Sequence, residues 1–225
     1  MAHNEGDGTD LYGADIYTEP EAAPGTLSRL GPLRHLAGTW TGTQGRDVHP
    51  SVDVTSDDRF VETYVLEPID PQTNGPQLLY GLRYHTHIVK PGETETFHDQ
   101  VGYWLWEPAA GVVMLALGIP RGQVLLAGGH ATADDRSFEV RAALGSGTFG
   151  IASNPFLDRA FRTLSYRQLV TVNDDGSWSY EEEAVMAVEG RTSPVSHTDR
   201  NTLVLVAPPR PNPLAGGETG IVPVK

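Results

Sequence analysis

Apolar and polar side chains alternate with a period of two, and the pattern recurs segment after segment from Phe60 to Ala207. In VGYWLWE, Val101, Tyr103 and Leu105 fall on one face while Gly102, Trp104 and Trp106 fall on the other, so the segment is a strand with bulk on both sides. PAAG then turns the chain and VVMLALGI runs back. FVETYVLEPI, QLLYGLRYHTHIV, GQVLLAGGHAT, SFEVRAAL, LSYRQLVTV, WSYEEEAVMAV and NTLVLVA follow the same rule, with DPQTNG, KPGE, ADDR and NDDG among the turns between them. Short strands at close intervals predict an all-β chain with meandering antiparallel pairing, closed into an up-and-down barrel. Strands do not alternate with long amphipathic helices, which excludes a doubly wound nucleotide-binding fold.

The ends depart from this pattern. Residues 1–25 are rich in Gly, Asp, Glu and Pro and predict an arm. Residues 26–207 form the barrel domain, and 208–225, crowded with Pro and Gly, a tail. In TLSRLGPLRHLAG, Leu27, Leu30, Leu33 and Leu36 recur every three residues, which suits a short helical or 3₁₀ turn ending at Gly38. SNPFLDRAFR, residues 153–162, with Asn154 as a cap and Pro155 in a first turn, predicts a short helix or loop lying over a barrel end as a plug or a lid.

Composition removes several function classes. The absence of cysteine excludes disulfides, thiolate metal sites and a cysteine nucleophile, and it suits a reducing cytoplasm. A net charge of -13 repels phosphate backbones, so nucleic acid is not an expected partner. The longest apolar run, GVVMLALGIP, is too short to span a bilayer, and MAHNEGDGTD has no secretion-signal pattern, so a soluble, cytoplasmic protein without a membrane partner is expected.

HLAGTWTGTQGRD, residues 35–47, has two readings. A phosphate-cradling loop needs a helix after its glycines, and here strand-like sequence follows. The other reading is the first strand of a lipocalin-like barrel, in which Trp40 buries one end of the core while Gly38 and Gly42 permit bending. The segment resembles the Gly-x-Trp-x-Gly-x-Gly signature of the nitrobindin family, with Gly38, Trp40 and Gly42 matching, Gln44 in the seventh position and the glycine one residue later at Gly45. FHDQVGYWLWEPAAGVVMLALGIPRGQVLLAGG resembles that family's His-acidic-x-x-Gly-aromatic strand and its return. MAVEGRTSPVSHTDRNTL resembles the segment whose Pro-x-x-His feeds the last strand, and together these cover residues 33–206.

The resemblance implies haem b in a pocket at one barrel end, with His197 as the iron ligand and Phe97 and His98 near the distal face. Trp40 completes the implied cofactor-binding set. It implies nitric oxide binding and conversion of peroxynitrite to nitrate. Asp199 would orient the His197 ring, and Arg200 would lie against Trp40 or be a surface charge. The family's lysine near the haem has no counterpart in TFGIASNPFLDRAF, which leaves Arg159 or Arg162 for a propionate.

Other classes stay open. The same barrel without an iron ligand would carry a fatty acid or another apolar molecule. His85 and His87, two apart on a strand and followed by Glu93, approximate a cupin-like non-haem metal site. Glu181, Glu182 and Glu183 read as a solvated strand edge. The acidic arm can reach the barrel mouth or a second subunit of a homodimer.

Overall fold

The computed structural model describes residues 9–51 and 55–218. The alternating segments form strands β1 (Gly38–Pro50), β2 (Thr55–Pro68), β3 (Gln72–Asn74), β4 (Gln77–Val89), β5 (Thr96–Glu107), β6 (Val112–Ile119), β7 (Gln123–His130), β8 (Ser137–Leu144), β9 (Gly150–Ser153), β10 (Phe161–Val172), β11 (Trp178–Val188) and β12 (Val195–Ala207). Around the barrel the order is β1, β2, β4, β5, β6, β7, β9, β8, β10, β11, β12 and back to β1, with β3 paired only to β4. Nearly every neighbour is antiparallel, as the alternation predicts. The exception is β9, parallel to β8 in the register Ala143 to Gly150. After β8 the chain steps sideways through residues 145–149 and continues in the same direction, so no long crossover is needed. Four residues are too few to show alternation, and β9 was therefore not legible in the sequence.

One end is closed by the leucine-rich segment. Thr26–Arg29 and Gly31–Leu36 form two 3₁₀ turns, and Leu30, Leu33 and Leu36 are fully buried. Burying each contributes about 1.5–3 kcal/mol. Trp40 packs edge-on to Trp178 with ring centroids 6.1 Å apart, and its indole N–H donates to the Leu36 carbonyl at 2.8 Å, which satisfies the buried nitrogen. The ends of the chain tie down beside this floor. Asn212 accepts from the Thr26 amide at 3.1 Å and donates to the Pro24 carbonyl at 2.7 Å and the Asp70 carboxylate at 2.8 Å. In the arm, α1 (Thr9–Tyr12) brings the Tyr12 hydroxyl to the Glu107 carboxylate. Residues 1–8 and 219–225, parts of the expected arm and tail, lie outside the described residues, as do 52–54.

The glycines of the first strand are sites of close approach. Pairing of β1 with β2 shifts register between Gly42 and Gly45. Gly38, Trp40 and Gly42 are buried before the shift, Gly45 and Asp47 after it, so the inward face changes from even to odd numbers across Thr43 and Gln44. A Cβ on Gly45 would stand 2.1 Å from the ring of Phe60, which is only 1% exposed. Gly45→Ala should therefore destabilise the barrel by about 1–3 kcal/mol. This is measured as a lower urea midpoint with an unchanged slope.

Candidate functional site

The opposite end of the barrel holds a cavity of about 530 Å³, entered beside α2 (Pro155–Ala160). Asn154 accepts from the amides of Phe156 and Leu157 at 2.8 and 3.0 Å, so the cap expected from the sequence forms and directs both apolar side chains to the cavity rim. Ile88, Leu117, Ile119, Leu125, Phe161 and Met186 add further apolar lining.

The acidic lining lies on β1, β2, β11 and β12, which carry Asp47, Glu62, Glu182 and Asp199. Asp47 Oδ1 accepts from His49 Nδ1 at 3.0 Å and from His197 Nε2, also at 3.0 Å. Asp199 stands 3.3 Å from the same His197 nitrogen. Burial alone would depress the His197 pKa. The Asp47 hydrogen bond and the charges of Asp199, Asp47 and Glu182 outweigh it and push the pKa up to about 9, so the ring is an imidazolium at neutral pH. Burial pulls Asp47 upward, but its bonds to His197 and then His49 prevail and hold it below the usual carboxylate range. Asp199 is raised well above that range by burial, against the pull of His197.

Deeper in, Glu62 is 1% exposed and accepts from Thr86 at 2.7 Å and from Tyr180 and Asn201, both at 2.9 Å. Burial raises its pKa and these three bonds resist the rise. Glu182 accepts from the Tyr166 hydroxyl at 2.9 Å, and burial pushes its pKa up to about 7. On the far wall His98 lies 3.3 Å from Gln100 Oε1, and burial lowers its pKa, so that ring stays neutral.

The structure brings His197, Asp199, Phe97 and His98 to one cavity. Phe97 is the extra residue of a bulge, between Thr96 paired to Val89 and His98 paired to Ile88, and this sets its ring at the rim under Lys90 Nζ, 4.9 Å away. Trp40, counted with the cofactor-binding residues from the resemblance, instead sits at the closed end and does not line the cavity. Arg200 is exposed, and the partner of the Trp40 indole is the Leu36 carbonyl. Arg159 pairs with Glu189 at 3.7 Å and Arg162 with Asp158 at 3.1 Å; neither lines the cavity, whereas Arg121 does.

Among the described residues, His85 and His87 are not gathered with a third ligand. His85 is exposed and bonds Asp99 at 2.8 Å, and His87 bonds Thr96 at 3.0 Å. The acidic run is not a uniformly solvated edge either, because Glu182 alone of the three lines the cavity. Glu62 was visible in principle as a carboxylate in phase with Phe60, Tyr64 and Leu66. Asp47 and His49 were hidden by the phase change across Gln44.

A closed barrel with an apolar cavity and a histidine on its last strand belongs to the class of small-molecule-binding barrels. More narrowly, residues 29–204 match the THAP4-like, heme-binding beta-barrel domain, and the chain belongs to that family. The fold is similar to the crystal structure of Rv2717c from M. tuberculosis, with a TM-score of 0.54 and 20% identity over 84% of this chain and 100% of that one. No curated protein matches.

Family membership supports haem as the ligand, and the cavity fits it in size and in its apolar walls. The donor set fits through one exchange, in which His197 Nε2 gives up its proton and its bond to Asp47. A fatty-acid carboxylate is a poorer match, since Asp47, Glu62, Glu182 and Asp199 all line the cavity.

Glu182 gives a pH test of this wall. It is faced by Tyr166 from β10, His197 and Asp199 from β12, Asp47 from β1 and Glu62 from β2. Its folded pKa exceeds the ordinary value of 4.5, so its contribution is fully present below pH 4.5 and lost as pH rises through about 7. Glu182→Gln should leave the melting temperature of the ligand-free protein nearly unchanged at pH 5 and raise stability by about 1 kcal/mol at pH 8, after discount for exposure to the cavity. Equal effects at both pH values would refute a buried, ionising Glu182.

Proposed function

We propose that the protein binds haem b in the open-end cavity, with His197 as axial ligand, and presents the iron to nitric oxide and peroxynitrite. The observation that carries this reading is the placement of His197 on one wall of a 530 Å³ largely apolar cavity with His98 and Phe97 also in its lining. The two histidines stand on β12 and β5, four strands apart around the barrel through β1, β2 and β4. Family membership supports the haem, and the diatomic and peroxynitrite chemistry extends that support.

When bound, haem would supply an open iron position for a diatomic and a centre for rearranging peroxynitrite to nitrate. The chain's own residues supply the rest. His197 provides the imidazole, and Asp47 and Asp199, which stand 3.0 and 3.3 Å from Nε2 itself, would give that nitrogen up to the iron. Neutral His98, held by Gln100, offers an N–H or a lone pair on the far side. Phe97, Phe156 and Leu157 keep water out at the rim, and Arg121 is the cation placed to meet a propionate.

Haemin titration followed by absorption spectroscopy tests the assignment. Wild type should give a saturable Soret band, and His197→Ala only the spectrum of free haemin. Asp47→Asn, which removes the charge holding Nε2, should bind haemin about tenfold more tightly at pH 7, equivalent to one pKa unit of released competition. Identical spectra and affinities in wild type and His197→Ala would overturn His197 as the ligand.

A further inference from the structure

We infer that Asp47, His49 and His197 form a second, non-haem site at the cavity wall for a divalent first-row metal ion, of the Zn²⁺ or Fe²⁺ type, and that this site shares His197 with the haem. One ligand atom from each residue lies within 4.8 Å of the others. The two imidazole nitrogens already converge on a single oxygen, each 3.0 Å from Asp47 Oδ1. Two imidazoles and one carboxylate suit these ions, whose bonds to such ligands are about 2.0–2.2 Å, so small side-chain rotations bring all three atoms onto one ion.

The three residues are held by the fold. Asp47 and His49 are two apart on β1 and share a face after the bulge, and Asp47 is paired in register with Asp199 of the adjoining β12, two residues from His197. Asp47 is 7% exposed, while the two imidazoles keep about a third of their side-chain surface, so an ion here would have a protein face and an open face toward the cavity.

The surroundings match a cation. Asp58 Oδ2 stands 3.9 Å from His49 Nε2, on the far side of that ring from Asp47, and Asp58 also receives Lys90 at 3.0 Å. A carboxylate behind a ligating imidazole fixes its tautomer and raises its basicity. On metal binding the His49 proton shared with Asp47 is given up from Nδ1 and the ring carries its N–H on Nε2, facing Asp58, so that Nδ1 takes the metal, and the proton of His197 Nε2 leaves to solvent as the ion takes its place. Asp199, 3.3 Å from His197 Nε2, can serve as a fourth ligand. Asp47, Asp199, Glu62 and Glu182 give this cavity an excess of acid groups that a dication offsets in place and a haem iron at His197 alone does not.

The test uses metal-free protein titrated with Co²⁺, read by its visible absorption, and then with Zn²⁺ in competition. One equivalent of Co²⁺ should bind saturably and be displaced by Zn²⁺. His49→Ala and Asp47→Asn should each weaken binding by about 100-fold or more while melting normally, and His85→Ala with His87→Ala should change nothing. Absence of a saturable Co²⁺ spectrum in wild type, or retention of full affinity in His49→Ala, would overturn the site. The competition arm rests on the haem reading: Zn²⁺-loaded protein should resist haemin, and simultaneous full occupancy would overturn the shared ligand. If haemin fails to bind at all, the haem reading falls while the Co²⁺ arm still decides the metal site. Asp47→Asn keeps the two apart, since it should strengthen haem binding and weaken the metal.

Discussion

The bulge in β1 at Thr43 and Gln44 is the constraint on which both ends of the barrel depend. A strand with unbroken alternation that buried Trp40 in the floor would also send the even-numbered residues Arg46 and Val48 inward, and Asp47 and His49 would face solvent. By shifting the inward phase between Gly42 and Gly45, the bulge lets one strand place an indole against Trp178 at the closed end and a carboxylate and an imidazole in the cavity. The crowding is absorbed by glycine at both flanks, because a Cβ on Gly42 would stand 2.3 Å from the Asn201 side chain and one on Gly45 would strike Phe60. The register shift thus lies where the glycine spacing of the first strand changes, and it turns Asp47 and His49 to the wall that Glu62, Glu182 and Asp199 share.

That wall works against stability. Four carboxylates and one imidazolium share a cavity whose other lining is mostly apolar, and burial raises Glu62, Glu182 and Asp199 toward neutrality. Each is retained with specific partners: Glu62 by three donors, Glu182 by Tyr166, and Asp199 by the His197 charge. Replacing such groups with well-packed apolar residues is often neutral or stabilising. The closed end, built from Leu30, Leu33, Leu36, Trp40 and Trp178, buries no charge, although the Trp178 indole N–H is buried without a hydrogen-bond partner, and it supplies the packing that tolerates the acidic end.

Legibility in the sequence followed the same division. Alternation and turn residues revealed the barrel, the leucine spacing revealed the 3₁₀ plug, and Asn154 with Pro155 revealed α2, because each rests on local chemistry within a few residues. His197, Phe97 and His98 became candidates through resemblance, since a lone histidine on a strand has no local signature. Asp47 and His49 could not be found by alternation, because the register change that turns them inward depends on pairing with β2. Glu182 was read with its neighbours as a solvated group although parity separates it from Glu181 and Glu183. Net acidity of the chain obscured the fact that part of the negative charge is internal.

The internal charge also bears on which occupant the cavity favours. A haem brings an iron that needs one neutral imidazole and propionates that need cations, and among the lining residues Arg121 is the sole Arg or Lys. A dication needs convergent imidazole and carboxylate ligands, and these stand together around Asp47 Oδ1. Because His197 is the proposed ligand for both, an ion held there would remove the haem ligand, and an iron bound there would leave Asp47 and His49 with an incomplete set. Two ligands that share one side chain are thermodynamically coupled with negative sign, and each weakens the other by the same factor. On the two proposed assignments, the acidic wall would have a consequence that an apolar haem pocket lacks: haem occupancy would depend on the free concentration of a divalent metal, through a single hydrogen-bonded carboxylate that lies between two histidines.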